Sequence, residues 1–186
     1  MNDDYPAILA AVQADPRYRA NLSWGEPRPG HPEGSIAAHI ADLEKNLDRL
    51  RPKLTPEEAD KLRLLIHVHD TFKPHALTGV RCSHPQSHAT LARQFLAEFC
   101  DDADLATIVQ NHDVPFALWR QVRDRNGAYD RERLAKLGRD VKDWDLFIAF
   151  LLIDGCTPGK LREPLRWLID RAREYRPTRF DLSDLE

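Results

Sequence analysis

The segment HVHDTFKP brings two imidazoles, a carboxylate and an ammonium group together at the end of a predicted helix. Imidazole and carboxylate groups are the usual protein ligands of divalent transition metals. His69 and Asp70, adjacent within this segment, can therefore offer a nitrogen and an oxygen to one ion. Lys73, one helical turn later, can offer a flexible cation to an anionic ligand. The segment predicts a metal site with an anion-binding group beside it.

Inward-facing polar side chains recur elsewhere, on the apolar stripes of other predicted helices. Each lies three or four residues from large apolar residues of its own helix and therefore points toward the core. These residues are His39, His69, His88, His112 and Asp154. One such histidine is usually a core residue with a hydrogen bond, but four histidines together with Asp70 and Asp154 favour a shared ligand. Burial of an unpaired carboxylate costs several kcal/mol, and no lysine or arginine occupies a comparable stripe position, so a metal ion would satisfy these groups together.

The hydrophobic pattern that positions these residues has a helical period, and β alternation is absent. An all-α bundle, forming a single domain over residues 1–186, is predicted. An amphipathic stripe predicts a helix from Ser35 to Leu50, and Thr55, Pro56 and Glu58 predict a capped start of the next helix, which runs to about His69. Further helices are predicted over residues 6–14, 86–99, 102–112, 115–125, 130–138, 141–155 and 160–174, followed by an extended or frayed tail.

Composition restricts the classes of partner and compartment. The chain has 186 residues, 42% of them hydrophobic and 31% charged, and its net charge of -3 argues against nucleic acid as a partner. The start, MNDDYPAILA, lacks the basic residues of a secretory signal. No apolar run reaches the roughly 20 residues of a membrane span. Three cysteines without a CxxC pair favour reduced thiols. A cytoplasmic protein without a membrane partner is expected.

Five short motifs follow one another in a recognisable order. They are HPEGSIAAHI with His39, HVHDTFKP with His69 and Asp70, HPQSHATLA with His84, IVQNHD with His112, and LFIAFLLID with Asp154. In this order they resemble the HD-domain superfamily of metal-dependent phosphohydrolases, with the resemblance strongest over residues 30–155. The first two motifs are most similar to the HD domain of CCA-adding tRNA nucleotidyltransferases. No nucleotidyltransferase head is found in these residues, so the shared activity is expected to be the phosphohydrolase one.

The resemblance implies an HD-type helical bundle with one or two divalent transition-metal ions, namely Mn, Fe, Co, Ni or Zn. The implied ligands are His39, His69, Asp70, His84, His112 and Asp154. Asp70 would bridge two ions, and Lys73 would bind phosphate. The family pattern HPxxGA is HPQSHA in this chain, which places His88 where relatives have glycine. His84 is predicted to be the ligand, and His88 is predicted to be a catalytic pocket residue.

The expected function is hydrolysis of a nucleotide or another small phosphoester, either a phosphomonoester or a cyclic phosphodiester, through a metal-activated hydroxide. The expected partner is accordingly a small phosphorylated substrate. Two alternatives remain open. One is an HD-type di-iron oxygenase, since such enzymes use the same ligand set. The other is a non-catalytic binding module that contains a metal.

Overall fold

The computed structural model describes residues 4–185, which form α-helices joined by turns and loops. The helices are α1 (Tyr5–Ala14), α2 (Pro16–Asn21), α3 (Ile36–Leu50), α4 (Pro56–Val68), α5 (His88–Leu96), α6 (Ala103–Asn111), α7 (Val114–Asp124), α8 (Arg131–Asp140), α9 (Trp144–Gly155) and α10 (Glu163–Tyr175). Within the described residues no strand forms, and the β contact is an isolated bridge between Arg28 and His31. The predicted all-α bundle is confirmed.

Helix α9 forms the centre of the bundle. Every residue from Leu146 to Ile153 is buried, because the helix is apolar on all sides and has no face suited to water. It packs against α3, α4 and α10. Asp154, the next residue, therefore lies at the end of a largely buried helix.

The starts of α3 and α4 follow the local signals in the sequence. Ser35 caps α3 by accepting a hydrogen bond from the Ala38 amide. Thr55 and Glu58 form the predicted reciprocal capping box at the start of α4, which satisfies two backbone N–H groups that the helix cannot pair internally. These caps define where each helix begins and hence which face of it meets the core.

Two segments differ from the sequence-based expectation. Helix α2 was not predicted, although Asp15 caps it and Pro16 occupies its first position. The tail was expected to be extended or frayed, and it is not frayed, because Phe180, Leu182 and Leu185 are buried and a short 3-10 turn forms there. Apolar side chains at these positions hold the tail on the bundle. Between residues 4 and 185, no helix has the length and apolar character needed to span a membrane.

Candidate metal centre

The ends of five helices converge and bring the predicted polar residues to one place. His39 lies in the first turn of α3, His69 and Asp70 follow α4, His88 begins α5, His112 follows α6, and Asp154 lies in the last turn of α9. Helix ends leave backbone groups unpaired and let the chain turn, so polar side chains from distant positions can meet there. His39 and Asp154, for example, are in contact across 115 positions.

The first group consists of His39, His69 and Asp154, and its geometry could hold a metal ion. The Nε2 atoms of His39 and His69 lie 3.0 and 4.0 Å from Asp154 Oδ1. Asp70 adjoins the same group, since its Oδ2 atom lies 3.4 Å from His69 Nε2 and 3.9 Å from His39 Nε2. All four side chains therefore direct a nitrogen or oxygen toward a common point.

The second group consists of Asp70, His88 and His112, and it too could hold a metal ion. Here the Nε2 atoms of both histidines lie 3.7 Å from Asp70 Oδ1. Asp70 thus presents one oxygen to each group. A carboxylate that bridges two ions would need such an arrangement, and the bridging role of Asp70 stays a prediction.

The donor atoms fit a divalent transition metal. His69 Nε2 and Asp70 Oδ1 are buried and have no hydrogen-bond partner, although burial of an unsatisfied polar atom costs about 1–3 kcal/mol. A ligand set rich in imidazole nitrogen suits Mn, Fe, Co, Ni or Zn better than Mg. The buried histidine and aspartate groups could therefore hold a metal ion of this class.

Two lysines contact the carboxylates of the centre. Lys73 forms an ion pair with Asp70, and Lys160 Nζ lies 2.6 Å from Asp154 Oδ1. The sequence places no lysine or arginine on a comparable apolar stripe, and both lysines reach the aspartates from segments outside the stripes. Burial raises the pKa of each carboxyl group, but the neighbouring histidine and lysine charges outweigh it and hold the pKa well below its usual range.

His69 and His112 have pKa values that are shifted in opposite directions. Burial lowers the pKa of His69, and the charges of Asp70 and Asp154 offset this only in part. The lowered pKa favours the neutral imidazole, which is the form that binds metals. Burial also acts to lower the pKa of His112, but the charges of Asp113 and Asp70 outweigh it and raise the pKa to about 9. Metal binding at His112 would consequently release a proton at neutral pH.

A loop between α2 and α3 forms one wall of the centre. Trp24, Arg28 and His31 line a small cavity together with Lys73 and Asp70.

Two glycines allow close packing around this wall. A Cβ atom on Gly25 would lie 2.5 Å from the Gly34 carbonyl oxygen, and one on Gly159 would lie 2.8 Å from Pro32 Cδ. The second contact fixes the turn that carries Lys160.

His84 lies outside both groups. It is partly exposed, and its Nδ1 atom accepts a hydrogen bond from the Gln86 amide at 3.1 Å. The geometry instead brings His88 to Asp70 and His112. The assignment of His84 as a ligand stays a prediction without geometric support, and His88 is the better candidate.

Three further residues of the centre were missed from the sequence. They are His31, Glu33 and Lys160. His31 and Glu33 form, together with the predicted His39, a third group that could hold a metal ion. Lys160 contacts Asp154. The motif HPEGSIAAHI contains His31 and Glu33, but both precede the helix, where no periodicity indicates a direction. Lys160 follows a turn, where no periodicity indicates a direction either.

No protein-family model, curated protein or solved structure matches this chain. The resemblance to HD-domain proteins rests on the motifs and their order, and it stays a prediction.

Proposed function

We propose that this chain is an HD-type metal-dependent phosphohydrolase that acts on a small phosphoester such as a nucleotide. The observation that supports it most is the meeting of two potential metal-binding groups at Asp70, one at each carboxylate oxygen. Lys73 and Lys160 lie directly beside them. Two cation sites flanked by lysines are suited to a reaction in which phosphate charge must be neutralised on more than one side.

In this proposal, His39, His69, Asp70 and Asp154 would hold one ion, and Asp70, His88 and His112 would hold a second. A divalent ion bound there supplies Lewis acidity to the phosphoester. Asp70 is the residue common to both sets. Its loss would therefore remove more of the centre than the loss of any single histidine.

The remaining residues act on the substrate. Lys73 and Lys160 bind phosphate oxygens as flexible point charges, and Arg28 at the mouth of the cavity attracts the anion. His88 is the more exposed imidazole of the second group, with 19% of its side chain accessible, and its Nε2 atom lies 3.2 Å from Asp113 Oδ2. If it is not a ligand, this position suits donation of a proton to the leaving oxygen as the P–O bond breaks.

The proposal is tested with purified protein loaded with Mn, Co, Ni or Zn. Release of phosphate or opening of the ring is measured on phosphomonoesters and on linear and cyclic phosphodiesters. Asp70→Asn keeps the shape of the side chain and is expected to abolish turnover. Asp48→Asn, an equivalent change at an exposed position, serves as the matched control and is expected to behave as wild type.

Two results would contradict the proposal. One is the absence of turnover across the whole panel with every metal. The other is oxygen consumption by iron-loaded protein without phosphoester cleavage, which would favour a di-iron oxygenase.

A further inference from the structure

Glu33 is a buried carboxylate located between two histidines. Its side chain is 5% exposed. Its Oε1 atom is hydrogen-bonded to His31 Nδ1 at 3.0 Å and lies 2.8 Å from His39 Nδ1. An ionised carboxylate in such a place needs nearby donors, because removal of a charge from water is costly. Glu33 is therefore connected to the metal centre through His39.

The imidazoles of His39, His69 and His112 share one orientation. Nε2 is directed at the carboxylates, and Nδ1 is directed at an oxygen on the far side of the ring. For two rings this oxygen is a backbone carbonyl: Leu65 and Ile66 lie 3.2 and 3.1 Å from His69, and Val109 lies 2.7 Å from His112. For His39 the corresponding oxygen belongs to the Glu33 side chain. Of the three contacts, this is the one that a side-chain substitution can remove.

Two carboxylates contact the ring of His39, one at each nitrogen. Asp154 Oδ1 is hydrogen-bonded to Nε2 at 3.0 Å, whereas the Nδ1 contact with Glu33 is short but not aligned, so Nδ1 has no hydrogen-bond partner. When Nε2 serves as a ligand it holds no proton. The proton then resides on Nδ1, which lies 2.8 Å from Glu33 Oε1.

We propose that Glu33 is a positioning residue that keeps the proton of His39 on Nδ1 and leaves Nε2 available as a ligand. A carboxylate in this role fixes the ring and increases its basicity, and loss of such a partner typically weakens metal binding roughly 10–100-fold. The inference rests on the metal site of the proposed function but not on phosphoester chemistry.

The test compares wild type with Glu33→Gln, which removes the charge and keeps the size. Glu26→Gln, at an exposed position of the same loop, is the matched control. Affinity for Zn and Mn is measured by competition with a chelator, and folding is checked by circular dichroism. Glu33→Gln is expected to bind roughly 10–100-fold more weakly, and Glu26→Gln within twofold of wild type. Independently of any variant, long-range proton–nitrogen NMR of Zn-loaded wild type is expected to show His39 protonated at Nδ1.

Each contrary result overturns the inference. An unchanged affinity in folded Glu33→Gln, or a metal-bound Nδ1 in the NMR spectrum, removes the positioning role. Loss of one ion per chain with unchanged affinity for the rest would establish a separate ion at Glu33. Absence of metal binding to wild type would overturn both this inference and the proposed function. Normal binding without turnover would overturn only the phosphohydrolase proposal.

Discussion

The Nε2 atoms of His88 and His112 lie 3.2 Å apart, and each lies 3.7 Å from Asp70 Oδ1. Two imidazole nitrogens so close together must share either a proton or a cation. This relationship favours His88 over His84 as the histidine that α5 supplies to the centre.

Replacement of His88 by alanine is therefore expected to lower the metal content per chain, whereas His84→Ala is expected to retain it. The reason is that His84 is engaged with the Gln86 amide outside the groups. Elemental analysis of the two purified variants provides the comparison. Full metal with lost turnover in His88→Ala would instead make His88 a substrate contact or proton donor. Loss of metal in His84→Ala would support the original assignment from the motif.

Metal binding is expected to stabilise the folded chain through Asp70. At a free metal concentration of about 100 Kd, binding to the folded state adds about 2.7 kcal/mol, which raises Tm by roughly 5–10 °C for a chain of this size. Asp70→Asn is expected to remove this rise, and Asp48→Asn to preserve it. Thermal unfolding with and without Mn, Ni or Zn measures the effect. An equal rise in Asp70→Asn would exclude Asp70 as a ligand.

The turn that carries Lys160 is expected to tolerate only glycine at position 159. Gly159 has a φ of +77°, and a Cβ atom there would lie 2.8 Å from Pro32 Cδ. Gly79 is a matched control, because its φ is +76° and nothing lies within 4 Å of the equivalent atom. Alanine in the left-handed conformation costs about 1–2 kcal/mol at either site. Urea unfolding should show a larger loss for Gly159→Ala, and equal losses would mean that the Pro32 contact relaxes freely.

The pairing of Glu58 with Arg179 is expected to make stability depend on acid pH. Burial raises the pKa of Glu58, but hydrogen bonds from Thr55 and Arg179 outweigh it and lower the pKa below the usual 4.5. Because the pKa is lower in the folded state, this stabilisation is present above about pH 4.5 and lost as the pH falls through the folded pKa.

Glu58→Gln should consequently lower the free energy of unfolding by about 0.5–1 kcal/mol at pH 7. The difference in the free energy of unfolding between Glu58→Gln and wild type should shrink below pH 4.5, because the wild-type carboxyl group becomes neutral there as well. Urea unfolding at a series of pH values measures it. A difference that stays constant with pH would mean that the ion pair is not its source.

The sequence by itself determined most of the helices and the direction of most polar residues in the candidate centre. Helical periodicity and caps such as Ser35 and Thr55 are local properties, so they can be read without the fold. His39, His69 and His112 lie on apolar stripes, and residues on such stripes must share one core. Their convergence with Asp154 follows from burial alone.

Only the tertiary structure decided which loop residues join them. Glu33 and Lys160 have no periodic pattern, and their positions depend on contacts between distant segments, such as Gly159 against Pro32. The choice between His84 and His88 likewise depends on where α5 begins relative to α6. His84 and His88 lie only about one helical turn apart in the sequence. The packing of the bundle decides which of the two side chains faces Asp70.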